Sequence, residues 1–357
     1  MDGPGRRPRR RPRPGPEDGV SPARAVLRWA GVVTGLLAVA AAHLLARGGA
    51  DPATAAEALL GDRSGLDHRI VAELGAPRLV TALLTGAALG VAGLVLQTAL
   101  RNPLAAPEFT GVNPGAVLGI LAGLQSGLVP ADSAGGALAA ALAGGAAGGL
   151  VTWVIAGRSD AGGLVVAGLL GGALLAGFTT LLLAYQPSRF GNALRWLIGS
   201  VEGRVWEHLA HGWWWVCGWT LLAWAGAAAL GVLSGGDEHA ASLGLNPRVA
   251  RALLLGAAIA LSAGAASLAG AVSFVGLVVP HAARWASGGD PRRGVPLAAL
   301  LGAGAVTLAD AVAQVATRLL ADGGAAHRLG VPTGVVTALA GAAVLVTVAR
   351  RSRHLPG

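Results

Sequence analysis

The chain has 357 residues, of which 54% are hydrophobic and only 13% are charged, against about 25% charged residues in a typical soluble domain. This composition argues against a soluble enzyme and favours a membrane protein. The formal net charge of +9 would suit a nucleic-acid partner, but all 27 basic residues are arginines and eight of them lie within residues 1–28. We therefore expect no nucleic-acid partner.

Residues 1–25 form a tail rich in proline, glycine and arginine. Such a segment lacks the apolar residues needed to build a core, so we expect it to be disordered. Its positive charge predicts a cytoplasmic N-terminus by the positive-inside rule, and it could also lie on anionic membrane lipid. The short segment 351–357 is expected to be a cytoplasmic C-terminal tail. Residues 26–350 then form one transmembrane domain.

Ten apolar segments follow one another along the chain and predict an all-α, polytopic membrane protein with about ten transmembrane helices. A helix needs about 20 residues to cross a hydrocarbon core of about 30 Å, and the third and eighth segments are shorter than this. The predicted spans lie near 26–46, 79–100, 115–130, 134–157, 162–184, 211–233, 249–270, 273–287, 295–319 and 331–349.

The eighth segment, 273–287, is short and contains Pro280 and His281 near its middle. Both ends of the chain are rich in arginine and are expected inside, so the number of crossings should be even. Counting this segment as a span gives ten crossings and places Arg292 and Arg293 in the cytoplasm as well. We therefore expect the segment to cross, with a proline kink that neighbouring helices accommodate.

An internal repeat is possible. The stretch 77-PRLVTALLTGAAL-89 matches 247-PRVARALLLGAAI-259 without gaps at an offset of 170 residues. Five predicted spans separate the two, so they would run in opposite directions, as in the inverted repeats of many transporters. The bias towards alanine, leucine and glycine also makes chance matches easy. Glycine runs such as 144-GGAAGG-149 indicate close helix packing, not phosphate loops.

Several kinds of chemistry are absent from the sequence. Without lysine there is no Walker A motif, so any ATP would be hydrolysed by another polypeptide. The single Cys217 excludes an intrachain disulfide and a cysteine-based metal site. We expect a chain that is not an enzyme and binds no cofactor or metal, with ATP used by a partner ATPase. Asp310 is the main acidic residue within an apolar span. It suits helix packing, through a neighbour's hydroxyl or backbone, better than ion transfer.

Polar motifs recur in the regions 77–119, 236–251 and 272–314, and a final one lies near residue 332. Together they resemble the FecCD family, the membrane permeases of bacterial ABC importers for iron–siderophore complexes, cobalamin and haem. The resemblance covers roughly residues 70–350. The motif residues are Pro77, Arg78, Gly93, Gln97, Asn102, Pro103, Leu104, Ala105, Pro107, Phe274, Gly276, Pro280, His281, Arg284, Gly289, Asp290, Arg292, Ala309, Asp310, Pro332, Gly334, Thr337 and Ala338.

Two stretches depart from the family pattern. The family usually has Glu-Leu-Pro before its last motif, where this chain has Gly330 and Val331 before Pro332. The last helix, 341-GAAVLVTVAR-350, also lacks the usual G-x-P and aromatic residue. These differences weaken any inference about contacts at that end of the chain.

The resemblance implies a set of partners. These are a second permease, identical or homologous, two ABC ATPase subunits, and an extracytoplasmic substrate-binding protein. It also implies a bacterial cytoplasmic membrane location with both termini inside. A ferric siderophore is the expected substrate, ahead of cobalamin and haem. The alternatives are an ion-coupled secondary carrier acting without an ATPase, and a membrane scaffold.

The segment 236-GDEHAASLGLNPRVAR-251 is the most polar internal stretch on the predicted inner side. The resemblance implies that it is the loop that couples the permease to the ATPase; a plain solvated turn is the alternative. Acidic residues suit the start of a short helix, and glycine and Asn-Pro suit its end. The candidate coupling residues are Asp237, Glu238, Ser242, Leu243, Gly244, Leu245, Asn246 and Arg248.

Three further groups of side chains have candidate roles. Gln97, Asn102 and Thr110 are candidate polar lining groups of the translocation path. The tryptophans at 213–215 suggest an aromatic belt at the membrane interface. Arginines on the predicted outer side could pair with acidic residues of a binding protein; they are Arg63, Arg69, Arg189, Arg195 and Arg204.

Overall fold

The computed structural model of the protein describes residues 22–48, 70–130, 133–156, 161–185, 193–322 and 330–352. Helices and short turns make up this part of the chain, and it contains no strand. The predicted all-α class is confirmed. Nearly all of the N-terminal tail and most of the C-terminal tail lie outside the described residues, so the predicted disorder of 1–25 stays a prediction.

Fourteen α-helices occur within the described ranges. A π-helical turn, Ile70–Gly75, leads into the second of them, and a 3₁₀ turn, Pro107–Thr110, precedes the third. The helices are α1 Pro22–Gly48, α2 Ala76–Ala99, α3 Val112–Ser126, α4 Ala134–Ala156, α5 Ala161–Tyr185, α6 Ala193–Ile198, α7 Trp206–Leu209, α8 Gly212–Ala225, α9 Ala227–Ser234, α10 Asp237–Ser242, α11 Pro247–Ala269, α12 Val275–Ser287, α13 Pro291–Asp322 and α14 Thr333–Ser352.

Each of the ten predicted spans contains a helix, but the helices differ in length. Six are long and apolar enough to cross a membrane, and α8 with α9, joined at a bend of 51°, would make a seventh span. The two segments that looked short are short: α3 has 15 residues and α12 has 13. At 1.5 Å per residue, α12 is about 20 Å long and cannot cross a core of about 30 Å alone. The count of ten crossings stays a prediction.

Helix α2 lies at the centre of the bundle and packs along α11, α12 and α13. Its glycines allow its backbone to touch theirs. A methyl group on Gly86 would overlap the carbonyl of Gly302, and one on Gly90 would overlap the carbonyl of Ala298. As the residue number of the contact rises along α2, the number of its partner residue falls along α13, so the two helices are antiparallel. Backbone contact of this kind needs small residues on both helices.

The hairpin of α3 and α4 uses the same device. Glycines recur at every fourth position on one side, at Gly111, Gly115 and Gly119, and they face Gly144 and Gly148 on the other. A methyl group at Gly115 or Gly144 would overlap the other's carbonyl oxygen. The packing role predicted for 144-GGAAGG-149 is therefore confirmed.

The two halves of the possible repeat lie in neighbouring antiparallel helices. The guanidinium Nε of Arg251, in the first turn of α11, donates to the carbonyl of Ala99, in the last turn of α2, at 3.0 Å. The directions are those of an inverted repeat. The matched positions have different surroundings, however: Arg78 is buried and Arg248 is exposed. A methyl group at Gly86 would overlap α13, whereas one at Gly256 would meet no atom within 4 Å.

This difference makes a matched pair of variants. We expect Gly86→Ala to lower the stability of the folded permease by about 1–3 kcal/mol, because the new methyl group forces α2 and α13 apart. Gly256→Ala should be neutral or stabilising, because alanine favours the helix by about 1 kcal/mol. Thermal unfolding of the purified protein in detergent measures both. Equal effects of the two substitutions would show that the contact between Gly86 and Gly302 does not hold the helices.

Candidate functional site

A buried ion-pair cluster joins four helices around Asp310 of α13, whose side chain is fully buried. Arg78 of α2 donates from Nε to Oδ2 at 2.7 Å and from Nη2 to Oδ1 at 2.9 Å. His43 of α1 lies with its Nε2 2.7 Å from Oδ2. Thr333, at the start of α14, donates to Oδ1 at 2.6 Å. Such two-pronged arginine–carboxylate bonds are among the strongest in proteins.

The structure agrees with a packing role for Asp310 and with the expected hydroxyl partner, which Thr333 supplies. It adds two partners that were not expected, the charged Arg78 and the ring of His43. Gln314, one turn further along α13, donates a further bond to Oδ2 at 3.2 Å. His43 was missed by the sequence reasoning. The available signal was a polar ring within the first apolar span.

A second polar region surrounds the start of α12, where the chain leaves the regular helix. The carbonyl of Gly276 lacks its usual helical donor because Pro280, four residues on, has no N–H. Gln97 of α2 donates from Nε2 to the Gly276 carbonyl at 3.4 Å and to the Leu277 carbonyl at 3.1 Å. The ring Nδ1 of His281 also bonds to the Leu277 carbonyl, at 2.8 Å.

The junction between α11 and α12 is supported in the same way. Phe274 has a positive φ of 67°, which is uncommon for a residue other than glycine. Its backbone N–H donates to Oε1 of Glu108 at 2.8 Å, and Asn113 donates to the carbonyl of Val272 at 3.5 Å. Irregular backbone at membrane depth is tolerated only where protein groups satisfy it. Glu108 and Asn113 supply these groups, and the sequence reasoning had assigned neither.

The three candidate path residues are bonded within the chain. Gln97 is buried between α2 and α12, as described above. Asn102 is also buried, and its Oδ1 accepts from the backbone N–H of Leu104 at 2.9 Å. Thr110 donates to the carbonyl of Pro107 at 3.0 Å. In this conformation Asn102 and Thr110 therefore shape the turn between α2 and α3, while Gln97 supports the start of α12. The role of all three in a translocation path stays a prediction.

The remaining family motif residues lie at helix ends and close contacts. The ring of Pro107 packs against Gly276. Arg284 lies half-buried in the last turn of α12. Gly334 donates its backbone N–H to the carbonyl of Gly199 at 2.9 Å, two residues after Pro332. Pro103, by contrast, is exposed in the turn that follows α2. Most of these motif residues thus position backbone.

The predicted coupling segment forms a short exposed helix, α10, that begins at Asp237 as expected. Arg251 of α11 donates from Nη2 to Oδ1 of Asp237 at 2.6 Å and from Nη1 to Oδ2 at 3.2 Å. Arg101, just after α2, lies 3.7 Å from the same carboxylate. The bond from Arg251 lowers the pKa of Asp237 below its ordinary value. The carboxylate therefore stays ionised at neutral pH and ties α10 to α11.

The rest of the coupling segment divides into exposed and packed side chains. Leu243 is 61% exposed although it is apolar, while Leu245 packs against the core. Gly244 has a φ of 78°, which ends the short helix as predicted. Asn246 corrects the prediction, because its Oδ1 accepts from the backbone N–H groups of Arg248 and Val249 and so begins α11. Three further side chains of the segment are also exposed, those of Glu238, Ser242 and Arg248.

Most of the candidate docking arginines lie outside the described residues. Arg63, Arg69 and Arg189 lie outside the described residues, and for Arg195 only the backbone, in α6, is described. Arg204 is placed with its guanidinium 4.6 Å from the ring centre of Trp196. The docking role of these five residues stays a prediction.

Two of the three tryptophans at 213–215 fit the expected interface belt. Trp213 and Trp214 are exposed on α8. Trp215 turns inward and donates from Nε1 to the carbonyl of Ala260 on α11 at 2.9 Å.

The geometry is that of a helical membrane protein whose motif residues hold its helix ends and junctions. The profile of the FecCD transport family matches residues 32–351, which is nearly the whole described structure. The chain belongs to the FecCD family. This confirms the resemblance drawn from the polar motifs and shows that the chain is a polytopic membrane permease.

Similar proteins come from several import systems. The Fe(3+) dicitrate permease protein FecD of Escherichia coli K12 is 33% identical over 83% of this chain and 90% of its own length. The ferric enterobactin permease protein FepG of the same strain is 34% identical, over 83% and 87%. The cobalamin import permease protein BtuC of Halobacterium salinarum is 33% identical, over 76% and 71%.

A solved structure shares the fold of this FecCD permease. It is described as an inward-facing conformation of a metal-chelate type ABC transporter. It matches with a TM-score of 0.73 and 23% identity over 91% of this chain and 99% of its own. The likeness supports the helical architecture described above.

The Asp310 cluster yields a stability prediction. We expect Asp310→Asn to destabilise the protein by about 3–5 kcal/mol, because the buried guanidinium of Arg78 loses its counter-charge. The double variant Asp310→Asn with Arg78→Gln should recover part of this loss. Thermal unfolding in detergent, run as a double-mutant cycle, gives the interaction free energy. Strictly additive losses would mean that the pair does not act as a unit.

Proposed function

We propose that this FecCD permease is the transmembrane subunit of a binding-protein-dependent ABC importer that moves ferric-siderophore complexes into the cytoplasm. The observation that carries the proposal is the exposed helix α10, held on α11 by the ion pair of Asp237 with Arg251, in a chain similar to permeases of iron-citrate, enterobactin and cobalamin import systems. Permeases for iron chelates outnumber those for cobalamin among these relatives.

The proposed complex contains a second permease, identical or homologous, two ABC ATPase subunits and an extracytoplasmic binding protein, in the bacterial plasma membrane. The chain has no lysine and hence no Walker A motif of its own, so ATP is bound and hydrolysed by the partner subunits and this chain holds no cofactor. With both termini in the cytoplasm, α10 faces the ATPase. The arginines Arg63, Arg69, Arg189, Arg195 and Arg204 are proposed to meet the binding protein.

Coupling would pass from α10 into the centre of the bundle. Leu243 offers an exposed apolar side chain that can seat in a cleft of the ATPase. The ion pair of Asp237 with Arg251 carries displacement into α11, and Arg101 carries it to the end of α2. From α2, Gln97 reaches the start of α12. A push on α10 therefore reaches the junction of α11 and α12 through bonded groups.

An ion-coupled carrier working alone is less well supported. Such a carrier needs a buried ionisable group that can exchange its ion during transport. Asp310, the residue first considered for this role, is held by Arg78, His43, Gln314 and Thr333. Reorganising four helices would be required to release it.

Reconstitution tests the proposed function and the substrate together. The permease is placed in liposomes with its ATPase and binding protein, and uptake of iron-55 as ferric siderophore, of ferric citrate and of labelled cobalamin is compared. We expect ATP-dependent uptake of a ferric siderophore, competed by its unlabelled form. Uptake that persists without the ATPase, or that follows a proton gradient alone, would overturn the importer assignment. Preferred uptake of cobalamin would overturn only the substrate.

The coupling assignment makes its own prediction. We expect Leu243→Asp to reduce retention of the ATPase on the purified permease by about tenfold or more, because it places a charge in an apolar contact worth at least about 1.4 kcal/mol. Leu128→Asp is the control, since Leu128 is also exposed, at 84% against 61% for Leu243, but lies between α3 and α4, at the opposite end of the bundle. Pull-down and ATPase assays read the result. Unchanged retention and uptake in Leu243→Asp would exclude the coupling role.

A further inference from the structure

Glu108 is a half-buried acid that has no counter-charge among the described residues. It lies on the 3₁₀ turn between α2 and α3, and its Oε1 accepts the backbone N–H of Phe274 at 2.8 Å. Its Oε2 is buried and has no hydrogen-bond partner within the described part of the chain. Among the described residues no arginine or histidine forms an ion pair with it. Asp310, which is fully buried, has two such partners.

The described helices discussed here bring uncharged groups to the turn that carries this acid. Helix α2 contributes the amide of Gln97 at the same junction, and α3 contributes the amide of Asn113. Helix α5 packs its glycines Gly168 and Gly172 against the backbone of the turn. On α12 the nearest titratable side chain, that of His281, is exposed and bonded to the Leu277 carbonyl. No charge of the described chain offsets a carboxylate at position 108.

The unpartnered oxygen decides which form of the acid fits the site. An ionised carboxylate without water or a cation is far more costly to bury than a neutral acid. The positive end of the α12 dipole favours the ionised carboxylate. At the strength that helix dipoles have on protein surfaces, however, this effect is smaller than the cost of removing water from a buried ion. The neutral acid keeps the bond from Phe274 to Oε1 and leaves Oε2 to carry a hydrogen atom.

We propose that Glu108 is a proton-binding site: it carries a proton on Oε2 at neutral pH and holds the α11–α12 junction as a neutral acid. The site lies at the junction where the proposed coupling path ends, but the proposal does not depend on the identity of the substrate. Its function is local. The neutral acid holds Phe274 in its left-handed conformation without placing a charge inside the bundle.

Infrared spectroscopy tests the proton directly. The full-length permease in nanodiscs is titrated across neutral pH, and difference spectra are compared for the wild type and Glu108→Gln. We expect the C=O stretching band of a protonated carboxylic acid in the wild type at neutral pH and its loss in the variant. Glu108→Asp, which keeps an acid, should shift the band without removing it. A wild-type spectrum without this band at neutral pH would overturn the proposal.

Unfolding as a function of pH gives a second measure. Because the folded protein holds the proton more tightly than the unfolded chain does, this site contributes stability at low pH that is lost as pH rises. We expect the melting temperature of the wild type to fall with rising pH relative to that of Glu108→Gln. Glu73→Gln, at an exposed site on the π-helical turn before α2, should behave as wild type. Stabilisation by sodium over choline that requires Glu108 would show a carboxylate with a bound cation and would exclude the proton.

Discussion

The bundle depends on one close approach, that between the backbone of α2 and the backbones of α12 and α13. In a membrane, apolar side chains gain little by leaving lipid for protein, so helices are held by packing and by polar bonds. Glycines at 86, 90 and 93 of α2 allow this approach, because a methyl group at each would overlap a carbonyl of the opposing helix. With α2 in place, Arg78 reaches Asp310 and Gln97 reaches the start of α12.

Two interruptions of the helical backbone lie next to α2, within this close packing. The turn 102–110 and the junction 270–274 both interrupt regular helix next to α2, and each leaves peptide groups that lipid cannot satisfy. The chain solves this with side chains from other elements: Gln97 serves the carbonyl freed by Pro280, and Glu108 serves the N–H of Phe274. The polar motif residues that suggest a transport path in the sequence are, in this conformation, largely occupied in this way.

Much of the fold could be predicted from the sequence, because apolar segments and glycine spacing are local properties. The ten helical segments, the packing role of 144-GGAAGG-149 and the start of α10 at Asp237 all follow from such patterns. The partners of Asp310 could not be predicted, since Arg78 lies 232 residues away and His43 lies 267 away. The role of Glu108 depends likewise on a contact across 166 residues. A pairwise contact between distant segments leaves no periodic signal in either.

The two polar regions differ in how readily they can change during transport. The Asp310 cluster joins four helices with charge-assisted bonds, and breaking it would leave a buried arginine without its counter-charge. The α11–α12 junction is held by single bonds to uncharged or, as proposed, neutral groups, and Phe274 already occupies a sparsely populated backbone conformation. Motion driven from α10 through α11 and α2 would therefore be expected at the junction, while the Asp310 end of the bundle moves as a unit.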